Sequence, residues 1–287
     1  MSDHDYLFDR EGPAEADVLA LEEALSPLRH GAPRRVRPAA LGAVGALLLL
    51  LTVTALWMTR GPEAWSVQTA SCAGCTWVEG AWLDTTRAAS ARLADRGEAW
   101  VSAGGELRLV DRDERAHLEL HRGRLEVRVD APPRWLTVSV PGVDVVDLGC
   151  AYVVDVRDDG TGVVAVQSGA VALEGTGAHS VLPAGTMAAT WPDGHTGLPV
   201  VVGADPAFVA VVDAADRGGP LQPVLSQAGR DDAITVWHLL ERASDRGVVV
   251  DKLQRLLGEL PVEEARLRAG DAEARDELLA YIIGRTL

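Results

Sequence analysis

The sequence predicts a mainly β protein with added α structure: a single transmembrane helix, an all-β domain (a β-roll or a sandwich) and a C-terminal helical bundle. Three observations predict it. Residues 39–58 carry no charge, apolar and polar residues alternate with period two from about Trp65 to Trp191, and the period turns helical after about Ala204. These divide the chain into a segment 1–38, a membrane helix 39–58, a β domain 62–203 and a helical region 204–287.

The uncharged run, AALGAVGALLLLLTVTALWM, is twenty residues long. At about 1.5 Å rise per residue, a helix of that length spans the roughly 30 Å hydrocarbon core of a bilayer. Arg29, Arg34, Arg35 and Arg37 precede it, whereas only Arg60 lies between it and Glu63. Arginine on the short N-terminal flank keeps that side in the cytoplasm. The expectation is a single-pass bacterial inner-membrane protein, N-terminus cytoplasmic and C-terminus extracytoplasmic. A cleaved signal peptide fits less well, because the run is too long, the leader is nearly forty residues and no A-x-A site follows promptly.

Ahead of the run, Asp17 to Leu28 reads as a short amphipathic helix. Val18, Leu19, Leu21 and Leu25 fall near one face, with Glu22 and Glu23 opposite. One such helix cannot bury its own apolar stripe, so this face is expected to meet a cytoplasmic partner, the membrane or nothing stable.

The β domain is read from half-buried strands such as Glu106-Leu-Arg-Leu-Val, His117-Leu-Glu-Leu-His, Arg124-Leu-Glu-Val-Arg-Val, Trp135-Leu-Thr-Val-Ser-Val and Tyr152-Val-Val-Asp-Val. Gly104-Gly105, Arg122-Gly123, Pro132-Pro133, Pro141-Gly142, Asp158-Asp159-Gly160 and Ser168-Gly169 punctuate them as turns. A loose repeat of glycine followed by alternating apolar residues, at Gly105, Gly123, Gly169 and Gly185, favours a roll over a sandwich. Further on, Asp232–Ala243 and Val248–Leu260 carry helical stripes. Asp271 can cap a last helix bearing Leu278, Leu279, Ile282 and Ile283.

Composition restricts the chemistry. The net charge of −15 disfavours nucleic acid and anionic lipid as direct partners, because phosphate repels such a surface. Cys72 and Cys75 form a C-x-x-C pair open to three readings: a structural disulfide, a redox pair or half a zinc site. No second Cys or His pair supplies the other zinc ligands, and strand rather than helix follows. A disulfide or plain packed thiols is therefore expected, with Cys150 left over. His117 and His121 lie roughly 13 Å apart along one strand, too far for one metal ion. Serine lacks a G-x-S-x-G elbow, and Gly104-Gly105 lacks the lysine of a phosphate loop. The chain is expected to be no enzyme and to hold no cofactor or metal.

One stretch is specific. HLELHRGRLEVRV, then WLTVSVPGVDVVDLGCAYVVDV, then VVAVQSGAVALEG, across residues 117–175, resembles the FecR-type extracytoplasmic domain. Asp147, Leu148 and Gly149 match its D-L-G-T-x-F element, with Cys150 where threonine is usual and Tyr152 where phenylalanine is usual. Gly169 to Leu173 closes the pattern. Gly149 is expected to turn the chain and Tyr152 to pack inward.

The resemblance implies a membrane-bound, anti-sigma-like regulator. Its outer domain would sense an extracytoplasmic protein or envelope ligand, and residues 1–38 would contact a cytoplasmic sigma factor. The N-terminus resembles a fragment of an anti-sigma domain, zinc-free because only His30 stands where metal-binding members place histidine and cysteines. The alternative is a tethered binding or scaffold module with no cytoplasmic role.

Overall fold

The computed structural model describes residues 65–286 except 113–114 and 177–178. Contacts divide the chain into two units between Gly61 and Pro62. In the second unit the β part runs β1 (Ser66–Gln68), β2 (Ala73–Thr76), β3 (Ala89–Arg92), β4 (Gly97–Val101), β5 (Glu106–Asp111), β6 (Ala116–Val129) and β7 (Leu136–Val140). Then come β8 (Val143–Asp147), β9 (Ala151–Val156), β10 (Gly162–Ser168), β11 (Ala170–Glu174), β12 (Ser180–Pro183), β13 (Thr186–Thr190) and β14 (Val200–Val201).

Strand β6 belongs to two sheets. Its first half pairs antiparallel with β5, Leu118 opposite Leu109 and Leu120 opposite Leu107, and parallel with β7. The second half pairs with β4 and β9, setting Val127 opposite both Ala99 and Tyr152. One sheet is therefore ordered β12-β11-β8-β7-β6-β5, and the other β2-β1-β3-β4-β6-β9-β10-β13-β14.

The burial pattern shows how one strand serves both. Ala116, Leu118 and Leu120 point inward, and so do Leu125 and Val127, so the inward set changes from even to odd numbers. Strict two-residue alternation forbids that change without an irregularity. It falls at His121–Arg124, where Gly123 has φ +97°. A Cβ on Gly123 would sit 2.6 Å from Gly105 Cα, so glycine is required there by both conformation and space. The sequence reads Arg122-Gly123 as a turn between two strands. It is a bend within one.

The inner faces of both sheets share one apolar cluster containing Leu118, Leu120, Leu125, Val138, Val145, Tyr152, Val164 and Leu173. That arrangement is a sandwich closed by a shared strand, and the roll suggested by the glycine repeat is not seen. Truncating a fully buried leucine in such a cluster, for instance Leu118, costs about 2–5 kcal/mol.

The helical part comprises α1 (Pro206–Asp216), α2 (Gln222–Gln227), α3 (Ala233–Arg242), α4 (Arg246–Leu257), α5 (Glu264–Ala269) and α6 (Ala272–Thr286). Starts are capped as the sequence dictates. Asp205 Oδ1 accepts the Ala207 N–H, Asp245 Oδ1 that of Gly247, and Asp271 Oδ1 that of Ala274. Leu198 and Val200, next to or in β14, share a core with Phe208, Val212, Ile234, Trp237, Val249, Leu253 and Leu278. The helices are therefore built onto the strand system.

The predicted fold class needs one correction. Among the described residues no helix is long and apolar enough to cross a membrane, and residues 39–58 lie outside the described residues. A single transmembrane helix has no support in this structure. The fold is mostly β-sheet followed by a helical part.

Polar contacts lock α3 to the strands. The Val181 N–H on β12 donates to His238 Nε2 at 2.9 Å, which leaves the hydrogen on Nδ1 to donate to Ile234 O at 2.8 Å. Arg242 donates to Asp216 Oδ1 (2.6 Å) and to Thr196 O (2.8 Å), and the Leu198 N–H also donates to the Asp216 carboxylate. His238 is deeply buried, and burial, with Arg242 and Arg275 nearby, lowers its pKa to about 4.

Protonated His238 would turn a donor toward the Val181 N–H. Because the folded pKa lies below the unfolded value, the stabilising contribution is complete above about pH 6.5 and disappears as pH falls toward 4. Burial raises the Asp216 pKa, and that group acts in the opposite sense over the acid range. Chemical denaturation at pH 7 and pH 4 should show a loss of about 3 kcal/mol attributable to His238. In His238→Gln this component should vanish; an equal pH slope in both proteins would contradict the assignment.

Candidate functional site

The residues that carry the sequence resemblance form one structural unit. Strand β8 ends on Asp147, whose side chain is wholly buried. Its Oδ1 accepts the Cys150 N–H at 3.0 Å and the Cys150 S–H at 2.7 Å, closing the turn into β9. Burial raises the Asp147 pKa against the lowering effect of the Cys150 and Gly149 donors. Burial and the adjoining carboxylate push the Cys150 thiol well up, so it stays protonated and donates where a threonine hydroxyl is usual.

Gly149 takes φ +92°, and a Cβ there would meet nothing closer than Ala131 O at 3.9 Å. Only its backbone conformation calls for glycine. Gly169 differs: besides φ +72°, its Cβ would lie 2.1 Å from Gly149 O and 2.9 Å from Cys150 Cβ. The closing element is thus seated on the D-L-G-C turn, and the Leu148 N–H donates to Ala170 O. Tyr152 is fully buried between Val127 and Val166. Its hydroxyl and Asp147 Oδ2 have no hydrogen-bond partner among the described residues.

A cleft of about 780 Å³ opens beside this turn. Its lining joins Gly149, Cys150 and Ala151 to Arg92, Arg96, Trp100 and Arg128, with the acids Asp95, Glu98 and Asp130 among them. The Arg128 guanidinium lies 5.5 Å from the centre of the Trp100 ring, and that of Arg96 lies 5.3 Å from Trp135. Of these, the Arg128–Trp100 pair lines the cleft and presents flat cationic and aromatic surface of the kind that holds a partner. The buried Cys150 thiol beside the cleft gives its hydrogen to Asp147, and burial together with that carboxylate disfavours the thiolate form.

The other singled-out residues lie apart from this turn. Cys72, just before β2, and Cys75, within β2, are joined in a disulfide, with Cα atoms 6.0 Å apart. His117 and His121 take different partners. His121 Nε2 is 2.6 Å from Glu119, which also binds Arg108, while His117 Nε2 is 2.7 Å from Ser139 Oγ. Ser139 in turn donates to Asp144 Oδ1. Sequence reading missed this His–Ser–Asp chain, because His117 stands on another strand, 22 residues before Ser139. Its serine stands in the middle, whereas an activated nucleophile needs the histidine between serine and carboxylate. Among the described residues no cluster of His, Cys, Asp and Glu could hold a metal ion. Val18, Leu19, Leu21 and Leu25 lie outside the described residues.

With the turn, its closing glycine and the inward aromatic in place, comparison with known proteins is decisive for one stretch. Residues 82–172 match the family model described as FecR protein; that stretch, less than half of the chain, is a FecR-type domain. No curated protein matches the chain. Two crystal structures of a candidate anti-sigma factor from Parabacteroides distasonis align with it. One has 17% identity and TM-score 0.33, covering 47% of this chain and 62% of that one. The other has 16% identity and TM-score 0.33, covering 51% and 63%. The chain spans less than two thirds of either, a likeness too loose to bear on partners.

The geometry ranks three substitutions. Gly149→Ala should cost about 1–2 kcal/mol, the strain of a left-handed residue alone. Gly169→Ala should cost more, because the same strain is joined by overlap with backbone that cannot move aside. Tyr152→Phe should leave stability unchanged or raise it, since the buried hydroxyl it removes has no partner. Thermal melts of the three variants check the order; a Gly149→Ala protein less stable than Gly169→Ala would contradict it.

Proposed function

We propose that this chain is a FecR-type regulator: residues 62–287 receive a signal outside the cytoplasm, and residues 1–38 pass it to a cytoplasmic partner, a sigma factor. The observation that carries the reading is the FecR match over residues 82–172, together with the clasped D-L-G-C turn inside it. The Cys72–Cys75 disulfide fits an oxidising compartment for this part of the chain. In this reading the outer unit works by binding, not catalysis, and takes a protein or envelope ligand on the arginine- and tryptophan-lined cleft beside the turn. The turn itself is architecture that holds the cleft in shape.

Two measurements test this. A cytoplasmic pull-down with residues 1–38 should retain a sigma factor, and Leu21→Asp or Leu25→Asp should reduce retention at least tenfold, because each places a charge on the apolar face. Specific retention of nothing by the wild-type segment would remove the regulatory role. A phosphatase that is active only outside the cytoplasm, fused after Leu287, should be active. An inactive but stable fusion would reverse the proposed sidedness.

A further inference from the structure

Trp82 is 46% exposed, yet its ring is held in place by its neighbours. The Arg108 guanidinium lies 5.2 Å from the ring centre, and the His121 ring stands edge-on with its centre 4.8 Å away. Both side chains are anchored in turn on Glu119. Arg108 donates to its Oε2 through Nε, at 2.8 Å, and through Nη2, while His121 Nε2 lies 2.6 Å from Oε1. Burial opposes the charge of Glu119, but the His121 and Arg108 donors hold its pKa below the usual glutamate value. The four residues form a closed cycle in which each side chain fixes the next. A large exposed ring held this way is a preorganised contact surface.

Register extends this platform into a line. Trp82 bridges Arg108, Arg108 stands opposite Glu119, Glu119 opposite Ser139, and Ser139 opposite Asp144. Leu109, Leu118, Val138 and Val145, next to them along the strands, point into the core, so the row faces outward. Neighbouring strands lie about 4.8 Å apart, which makes the row about 19 Å long. None of its residues lines the cleft beside the D-L-G-C turn, which belongs to the other sheet.

The row's own chemistry selects against charged ligands. Arg108 already takes the place of a cation at the Trp82 ring, and Glu119 neutralises it. An anion would meet Glu119 and Asp144 on a chain of net charge −15. What the row offers is a flat apolar ring followed by carboxylate and hydroxyl groups. A sugar ring answers both, with a C–H face for the indole and rim hydroxyls that donate and accept. A straight row of this length suits an extended chain of such rings, whereas a coiled chain leaves the surface after the first. We propose that the row binds an extended, uncharged glycan with the linkage of cellulose or chitin. One ring stacks on Trp82, and the following rings bond through their hydroxyls to Glu119, Ser139 and Asp144. Two-layer β structures are a frame that lectin domains use. The site is independent of any sigma factor.

The test is calorimetric titration of the full chain with cellohexaose and with the chitin hexamer, which share a linkage and differ in the acetamido group. Maltohexaose, whose linkage coils the chain, and glucose are the controls. At least one extended hexamer should bind saturably, and at least tenfold more tightly than maltohexaose or glucose. Trp82→Ala should lose at least tenfold, and Trp82→Phe should recover part of that loss because a stacking face remains. Ser139→Ala, distant from the ring, should weaken the hexamer but leave glucose unchanged. Thermal melts accompany each variant; if Trp82→Ala does not fold, Trp82→Phe and Ser139→Ala decide. No saturable binding of either extended hexamer at millimolar concentration would overturn the proposal. So would equal binding of maltohexaose, which would remove the argument from the row, or full affinity in folded Trp82→Ala, which would place the glycan elsewhere. Wild-type affinity in both Trp82→Phe and Ser139→Ala would overturn it as well.

Discussion

The bend of β6 at Gly123 is the constraint on which the β domain depends. A strand whose inward residues are even-numbered can line only one face, and this chain needs its longest strand to line two. At Gly123 the backbone enters a region that side chains disfavour and comes within contact of Gly105, and the inward set changes parity. The rest of the domain is arranged around that point. Leu118 and Leu120 seat β5, Leu125 and Val127 seat β4 and β9, and a single core joins both sheets. Tyr152 enters that core opposite Val127, so the FecR-type turn is positioned by the strand beside it.

The turn is tied down by the same economy of space. A buried carboxylate receives the donors of Cys150, and Gly169 approaches Gly149 more closely than any Cβ would permit. Cysteine replaces threonine without loss of a donor, whereas tyrosine in place of phenylalanine adds a hydroxyl with nothing to bond. One change preserves the physics and the other strains it.

Much of this was legible in the sequence, and for definite reasons. Alternation located the strands around Leu107, Leu118, Val138 and Val154, and Asp271 announced the last helix, because each signal is local. Gly123 was misread because glycine flanked by arginines is also what a turn looks like. The His238–Val181 bond and the Arg242–Asp216 pair join parts far apart in sequence, where no periodicity points. The same holds for the contact of His117 with Ser139. Motif residues were found because they recur in a family; these contacts could be found only once the chain had folded.

Native-state amide hydrogen exchange along β6 tests most directly whether one strand makes the two sheets a single cooperative body. The bonded amides on both sides of Gly123 should exchange at a common slow rate set by global unfolding, and should respond equally to added denaturant. If one half of β6 exchanged orders of magnitude faster than the other, with little dependence on denaturant, the sheets would open separately and the shared-strand account would fail.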